Sequence, residues 1–475
     1  MNTTKVQSWK WQTRGSGEDG IAAIDAVSVE KTDHALESGL NSGRLLTSHA
    51  PLENSLAQLE ECYVSQCPQS QMMATSKWKM GFVLILMCLL APAEQAPLPF
   101  TSVYGLSFKN MEFAMDLYRK ISTYHDENIV FSPLSVSTSF AALSMASDGV
   151  TYEEILKGLH LENLEKADQK DLIPKLFQML HGNISQNGTT KLEQGTSLFV
   201  REHFKIEKAF EDQMKSYFCA DIKRVNFEDT NASISLINEY IKDKTGGKVT
   251  NMLSGLDPMT ELMLVNTFYF QGGWKMPFNP NDTYNAPFYV DNYNIRQVPM
   301  MLKEDKFETM EDTQLGVRVL KLPYLEGVSM LILLPNKGVD YNIIDDEITA
   351  KRMLGWIKKL QKTKLEINIP KFKMEESYSL HHILPEMGFV SLFGGSANLT
   401  KLSKDKGLKV SEVLHKAVVD VDEVGTTAAA ATTIGIIPYS LPRTFIVNRP
   451  FFFFIYHEDT KSLLFMGRVI DPTKN

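Results

Sequence analysis

The sequence predicts an α+β fold, with helices in the first half of the domain and strands in the second half. In segment 108–122, apolar side chains recur every three or four residues, which is the spacing of an amphipathic helix. From residue 262 onward, the pattern changes to fully apolar runs and to alternation with polar residues, both typical of strands. No Gly/Ser-rich linker and no repeat separates the two halves, so we expect one domain.

The elements follow in order along the chain. The first predicted helix presents Phe113, Leu117 and Ile121 on one face. The second begins at Pro133, because proline suits the first helical turn, and continues through Met145. The next hundred residues are predicted to be mainly helical. Strands are predicted in the later apolar or alternating runs, at 262–270, 317–319, 330–334 and 365–369.

Composition and charge limit the class of protein. Of the 475 residues, 43% are hydrophobic and 22% are charged, which is globular composition with ample material for a large core. The 49 basic and 57 acidic residues give a formal charge of −8. Because these charges form no long like-charge runs, the sequence argues against a nucleic-acid binder, which must neutralise many phosphates.

A short apolar segment predicts secretion. The run from Gly81 to Ala91 has only about half of the ~20 residues that span a bilayer. Lys77 and Lys79 precede it, and small residues follow at the positions that a signal peptidase recognises. We therefore predict a secretory signal peptide that is cleaved after Ala93, with Ala96 as the alternative.

These signals divide the chain into three parts. Residues 73–93 form the predicted signal peptide, beginning at Met73. Residues 1–72 lack periodicity and are rich in Ser, Gln, Gly and Glu, so we interpret them as a disordered or over-extended segment. Residues 94–475 form the predicted secreted domain.

The mature chain carries one cysteine and five glycosylation sequons. Cys219 follows two aromatic residues and is expected to be a packed thiol. Sequons of the type Asn-X-Ser/Thr follow the signal peptide and predict a surface-glycosylated secreted protein. They stand at Asn183, Asn187, Asn231, Asn281 and Asn398.

No pattern in the sequence predicts catalysis or metal binding. It contains no nucleophile elbow, no zinc-protease motif and no nucleotide-binding loop. The adjacent pair His381 and His382 is interpreted as solvated rather than metal-binding.

An uncharged segment lies between Glu423 and Arg443. Its small and β-branched residues are competent to form a strand, but Gly435 and Pro438 make it a poor permanent central strand. Composition alone also allows a plain loop or a short alanine-rich helix.

Five ordered motifs carry a resemblance to a known family. From Leu106 to Pro472 the chain resembles the serpins, and in particular the antitrypsin-like clade. The motifs are Asn128–Ser135, Leu264–Trp274, Leu414–Val418, the Glu423–Ala431 hinge, and Arg449-Pro-Phe followed by Leu464–Val469.

The resemblance implies a fold of three β-sheets and about nine helices, with an exposed reactive-centre loop. It also implies a monomeric, metastable inhibitor without catalytic residues of its own. A protease attacks the loop, and the severed loop then inserts into the central sheet while the enzyme is still acylated. Insertion requires a hinge without charge or proline, because either would be costly inside a sheet. The matching hinge residues are Gly425, Thr426, Thr427, Ala428, Ala429, Ala430 and Ala431.

The family spacing places the cleaved bond at Tyr439-Ser440, 16 residues after Glu423. The apolar ring of tyrosine suits a hydrophobic, chymotrypsin-like specificity pocket. A chymotrypsin-like target is therefore one alternative, and a non-inhibitory carrier of small ligands is another.

The resemblance also assigns structural roles. It implies that Glu423 and Lys371 form an ion pair beside Trp274 at the top of the sheet, a region called the breach. It implies that a cluster called the shutter controls the opening of the sheet by hydrogen bonding. The shutter positions are Ser132, Ser135, Asn266 and His415.

With Tyr-Ser at the cleaved bond, the chain is similar to a branch of the clade that acts on coagulation factor Xa with protein Z, phospholipid and calcium, and on factor XIa. Thr123 departs from that pattern, which has Met there, and this puts a hydrophobic part of the contact in doubt. The positions that match protein Z contacts are Asp126, Asp291, Tyr293 and Asp346.

Heparin is a second implied cofactor. Lys166, Lys170 and Lys175 lie on a predicted helix, but acidic residues interleave with them. Heparin binding and an ordinary solvated helix stay open as alternatives.

Overall fold

The computed structural model describes residues 102–164, 171–185, 191–423 and 443–474. The predicted signal peptide, the hinge after Glu423 and the Tyr439-Ser440 bond lie outside these residues. No helix in the described part is long and apolar enough to cross a bilayer.

The described residues form eight α-helices, close to the nine that the resemblance implied. Helix α2 begins at Pro133 with the Ser132 side chain as its N-cap, and nearly all of its residues are buried. The helices are α1 (Val103–Ser122), α2 (Pro133–Ala146), α3 (Gly149–Gly158), α4 (Leu172–Ser185), α5 (Lys208–Phe218), α6 (Thr230–Lys244), α7 (Tyr341–Glu347) and α8 (Ala350–Lys359).

Fourteen strands complete the described part. They are β1 (Ile129–Phe131), β2 (Lys191–Arg201), β3 (Asp221–Val225), β4 (Leu262–Gln271), β5 (Tyr284–Tyr289), β6 (Ile295–Asp312), β7 (Val317–Pro323), β8 (Val328–Pro335), β9 (Gln361–Pro370), β10 (Phe372–Ser379), β11 (Val410–Val421), β12 (Arg443–Ile446), β13 (Phe451–His457) and β14 (Leu463–Val469).

A five-stranded sheet has the order β10-β11-β4-β2-β3. Strand β11 is antiparallel to β10 and parallel to β4, while β4 is antiparallel to β2. A parallel pair, β11 and β4, therefore lies in the middle of this sheet. Both strands are long and largely buried.

The remaining nine strands form one sheet, so the described part contains two sheets rather than the three that the resemblance implied. The cause is β6, which has 18 residues. Its first residues pair with β5, its last residues pair with β7, and β9 pairs along the stretch between them. One continuous strand thus joins what would otherwise be two separate sheets.

Helix α2 lies at the centre of the core. It contacts β4 of the five-stranded sheet and β14 of the nine-stranded sheet. Its fully buried Phe140 packs against the Phe389 ring, with centroids 5.0 Å apart. This central position places its serines against the parallel pair of strands.

The region that the sequence predicted to be mainly helical also contains two strands. Strands β2 and β3 interrupt the helices between residues 146 and 245. In β2, the consecutive residues Leu198, Phe199 and Val200 are all buried, since both faces of the strand are covered. Such a short apolar run has the same periodicity as a buried helix segment.

Candidate functional site

The N-terminal end of α2 contacts strand β11 through the predicted shutter residues. The backbone N–H of Ser132 donates to His415 Nε2 at 2.9 Å. His415 is completely buried, and burial lowers its pKa to about 3, so its ring is neutral at physiological pH. The neutral ring therefore accepts a hydrogen bond, and a pKa so far below physiological pH makes it a weak base.

The same helix contacts strand β4 about two turns later. Ser139 Oγ donates to Asn266 Oδ1, and Asn266 lies directly opposite His415 in the parallel ladder. Ser135 takes part through its backbone, since its N–H donates to Ser132 Oγ at 3.3 Å and its carbonyl oxygen lies 3.0 Å from Ser139 Oγ, sharing with Asn266 Oδ1 the one hydrogen of that hydroxyl. One rigid helix thus bridges both strands of the pair.

The entry of a strand between β11 and β4 would disturb these hydrogen bonds. Neighbouring strands lie about 4.8 Å apart, so an added strand would move β11 away from β4 by roughly that distance. A hydrogen bond is lost beyond about 3.5 Å. Helix α2 therefore cannot keep both its bond to His415 and its bond to Asn266 once a strand has entered.

At the top of the five-stranded sheet, Glu423 is the last described residue after β11. Its carboxylate pairs with Lys371 Nζ at 2.6 Å and accepts from Thr283 Oγ1 at 2.8 Å. Burial acts to raise its pKa, but these two partners outweigh burial and hold the pKa below its ordinary value. Glu423 is therefore a buried, fully charged anchor.

Trp274 holds the residue before this anchor. Its Nε1 donates to the carbonyl of Asp422 at 2.7 Å. The indole is stacked on Tyr324, with centroids 4.0 Å apart and an interplanar angle of 11°. The backbone N–H of Phe278 also donates to the Glu423 carbonyl, at 2.9 Å. Four residues thus bond to the chain where the uncharged segment begins, namely Trp274, Phe278, Thr283 and Lys371.

The predicted protein Z residues lie on three segments that approach one another. Asp126 lies between α1 and β1, Asp291 and Tyr293 lie in the turn between β5 and β6, and Asp346 is on α7. A cleft of about 210 Å³ is lined by Asp126 and by Asn294 of that turn. Burial raises the pKa of Tyr341 of α7, and the nearby charge of Asp126 adds to this rise. All four predicted residues are exposed, and we call this set the acidic face.

Within the acidic face, Asp291 is engaged by its own turn. Its carboxylate accepts from the backbone N–H groups of Tyr293 and Asn294, each at 2.7 Å, and from Asn294 Nδ2 at 2.7 Å. The hydrogen bonds from the Asn294 side chain and from the two backbone N–H groups lower the pKa of Asp291. The turn presents Tyr293 with 94% of its surface exposed.

The predicted glycosylation sites differ in their surroundings. Asn183, Asn231 and Asn281 are exposed, whereas Asn398 is half-buried. Asn187 lies outside the described residues, as do Lys166 and Lys170 of the predicted heparin stripe. The third lysine of that stripe, Lys175, lies 3.9 Å from Asp171.

Cys219 and the adjacent pair His381 and His382 both lie within the described residues. The expectation of a packed Cys219 thiol is wrong, because Cys219 is exposed. It ends α5 in the left-handed conformation, with a φ of 51°. His381 Nδ1 lies 2.9 Å from Glu412. No group of His, Cys, Asp or Glu that could hold a metal ion is found within the described ranges.

Sequence reasoning missed several residues of these clusters. Ser139 bonds to the shutter asparagine, Thr283 bonds to Glu423, and Tyr324 stacks on Trp274. No local pattern marks them, because each reaches a partner more than 40 residues away in the chain. The one available signal for Ser139 was a group of hydroxyl side chains on a helix that is buried along nearly its whole length.

Comparison with known proteins gives the family context. A family model described as "Serpin (serine protease inhibitor)" matches residues 108–472. The chain is 37% identical to the protein Z-dependent protease inhibitor of Mus musculus over 369 residues, which is 78% of this chain and 82% of that protein.

Solved structures agree with the sequence match. The structure of mouse protein Z-dependent protease inhibitor has 36% identity and a TM-score of 0.73, over 78% of this chain and 98% of that one. Human thyroxine-binding globulin, in complex with its ligand, has 30% identity and a TM-score of 0.72, over 78% of this chain and 100% of that one.

Proposed function

Because the chain belongs to the serpin family of serine protease inhibitors and is not an enzyme, we propose that it is a secreted, glycosylated suicide substrate of serine proteases. The protease serine attacks the carbonyl carbon of Tyr439, and the peptide bond to Ser440 breaks. The new amine of Ser440 takes a proton, and the protease remains esterified to Tyr439. The severed hinge then enters the five-stranded sheet and carries the protease with it.

The parallel pair of β11 and β4 is the observation that carries this proposal. The uncharged segment directly follows β11, so a segment that folds back runs antiparallel to both strands. Its entry replaces one parallel ladder by two antiparallel ladders, which are slightly more stable per residue. From Gly425 to Tyr439, 15 residues of strand span about 50 Å, enough to move the bound protease across the molecule.

Formation of a covalent complex with a protease tests the proposed inhibition. Wild-type protein and a target protease are expected to form a covalent complex that survives SDS. Tyr439→Ala removes the side chain that enters the specificity pocket, and Thr426→Arg places a charge in the inserting hinge. Both variants should lose the complex, whereas Thr313→Arg, in an exposed turn, should keep it. Cleavage of the wild type without any complex would contradict the proposal.

The same experiment separates the inhibitor from a carrier. The alternative function is the binding of a small ligand, as in the complex of thyroxine-binding globulin with thyroxine, and this function does not require a trapped protease. The hinge of this chain, from Gly425 to Ala431, contains neither charge nor proline, and this composition supports inhibition.

For the target, we propose coagulation factor Xa in the presence of protein Z, and also factor XIa. The proposal is supported by the similarity to protein Z-dependent protease inhibitors and by the Tyr439-Ser440 bond. Tethering inhibitor and protease on one phospholipid surface, with calcium, raises their effective concentration and offsets an unfavourable tyrosine fit. A chymotrypsin-like protease is the competing target, since tyrosine suits its pocket.

The acidic face is the proposed protein Z site. Asp126 and Asp346 present exposed carboxylates, and Tyr293 presents an aromatic ring, a residue type common at the centre of interfaces. A partner with basic side chains around an apolar pocket fits this chemistry.

The rate of factor Xa inhibition, with and without protein Z, phospholipid vesicles and calcium, tests this site. Protein Z should accelerate the wild type, Tyr293→Ala should lose the acceleration, and Tyr284→Ala, at the far end of β5, should retain it. Equal wild-type rates with and without protein Z would remove this partner while leaving the inhibitor intact.

A further inference from the structure

A single buried arginine holds the turn that carries Asp126. Arg468 lies on β14, opposite Ile129 of β1, and only 3% of its surface is exposed. Its Nη2 donates to the carbonyl of His125 at 2.6 Å, and its Nε donates to the carbonyl of Glu127 at 3.2 Å. These carbonyls belong to the two residues on either side of Asp126, so the guanidinium fixes the backbone that presents this carboxylate.

The same guanidinium holds helix α7. Its Nη1 pairs with Asp345 Oδ2 at 2.5 Å, and Asp345 directly precedes Asp346. Tyr118 donates its hydroxyl hydrogen to the other oxygen of Asp345. The guanidinium carbon also lies 5.9 Å from the centre of the Tyr341 ring at the start of α7. The rigid planar fork of arginine thus spans two segments of the acidic face.

The residues just after Arg468 connect to the third segment. Asp471 accepts from Arg296 Nε at 3.1 Å, and Arg296 follows the 291–294 turn by two residues. The side chain of Asn128 donates to the carbonyl of Asp471 at 2.8 Å and accepts from its N–H at 3.0 Å. The C-terminal stretch from Arg468 to Asp471 is therefore bonded to all three segments of the acidic face.

We infer that Arg468 is the positioning residue of the acidic face, and that it controls protein Z binding without touching protein Z. This inference rests on the proposed function of that face. Arg468 is too buried to reach a partner, and its charge is balanced by Asp345. It acts by ordering Asp126 and Asp346 before the partner arrives, and such preorganisation lowers the entropic cost of binding.

The test compares Arg468→Lys with a matched arginine elsewhere. Lysine keeps a positive charge beside Asp345 but cannot reproduce the planar fork that reaches both carbonyls. Arg468→Gln is a second, more severe variant. Arg201→Gln is the control, because Arg201 also donates to two carbonyls, those of Thr260 and Pro258, and pairs with Glu228, on the other sheet.

Three quantities are measured for each variant. They are the affinity for protein Z, the acceleration of factor Xa inhibition by protein Z, and amide hydrogen exchange over residues 123–128 and 341–347. Acceleration is a ratio of two rates for the same variant, so a general loss of folded protein does not change it.

We expect Arg468→Lys to weaken protein Z binding by about tenfold or more, equivalent to about 1.4 kcal/mol. The acceleration should fall in parallel, and protection from exchange should be lost in the two named segments. Arg201→Gln should keep the affinity, the acceleration and the exchange pattern there.

Unchanged affinity in Arg468→Lys, or an equal loss in Arg201→Gln, would overturn the inference. If the wild type does not bind protein Z, the proposed partner is wrong. The exchange data alone then decide the remaining claim, and unchanged protection in Arg468→Lys would refute Arg468 as the residue that orders this face.

Discussion

The ion pair between Lys371 and Glu423 gives the most specific stability prediction. Lys371→Ala removes the cation while leaving Glu423 in place, with 8% of its side chain exposed. The carboxylate keeps the hydrogen bond from Thr283 Oγ1 at 2.8 Å, but loses its only described ionic partner. The last anchored residue before the inserting segment is then held by fewer contacts.

The expected loss in the free energy of unfolding lies between two limits. Removing one partner of a fully buried pair costs about 3–5 kcal/mol, and an exposed pair is worth about 0–1 kcal/mol. The Lys371 side chain is 36% exposed, so water partly screens this pair. We therefore expect Lys371→Ala to lower the free energy of unfolding of the uncleaved protein by about 2 kcal/mol.

Equilibrium unfolding in urea measures this value, since a change in midpoint without a change in slope reports stability alone. Lys364→Ala is the control. Its ammonium lies 2.6 Å from Glu304, the same distance, but 59% of its side chain is exposed. The free energy of unfolding of this control should fall by about 0.5 kcal/mol or less. Equal losses in the two variants would refute the argument that burial of Glu423 sets the energy.

Three other predictions concern titration and the acidic face. The pKa of His415 is about 3 when folded and about 6.5 when unfolded, so the unfolded state binds the proton first and stability falls as the pH drops below 6.5. Between pH 7 and 5, protonation of His415 in the unfolded state should lower the free energy of unfolding by about 2 kcal/mol. The His415→Gln variant should therefore show a flatter pH dependence of this free energy. Burial, with the charges of neighbouring glutamates, raises the pKa of Glu376 from 4.5 to about 7, so stability falls as the pH rises between these two values and the loss is complete above pH 7. Glu376→Gln should therefore raise the free energy of unfolding at pH 8 by about 1 kcal/mol, a value that allows for the partial exposure of Glu376. This gain should vanish below pH 5. A gain that is independent of pH would contradict the prediction. Asp291→Asn keeps an acceptor for the N–H groups of Tyr293 and Asn294, so it should bind protein Z within about threefold of wild type, whereas Asp291→Ala should bind more weakly than Asp291→Asn. If both variants lose affinity equally, the charge of Asp291 matters rather than its turn.

The sequence was most informative where the local pattern and the burial agree. Pro133 predicted the start of α2, and the apolar run at 262–270 predicted β4 within one residue of its end. The family motifs led to the ion pair of Lys371 with Glu423, which lie 52 positions apart. Spacing alone would not have paired them.

The sheet organisation was harder to predict. Whether a continuous strand such as β6 joins two sheets depends on which neighbours pair along its length, and this is a property of the tertiary structure. The role of Arg468 was equally hidden. Its partners are backbone carbonyls and a carboxylate more than 120 positions away in the chain. Sequence patterns do not encode such contacts.

The central claim is that the cut segment enters between β11 and β4, and thermal unfolding of intact and loop-cleaved protein tests it most directly. An inserted strand adds roughly ten backbone hydrogen bonds at about 1 kcal/mol each, which corresponds to a rise in Tm of about 10 °C or more for a domain of this size. Cleavage by a non-target protease within 424–442 should produce this rise. Equal Tm values for the intact and cleaved forms would contradict the account.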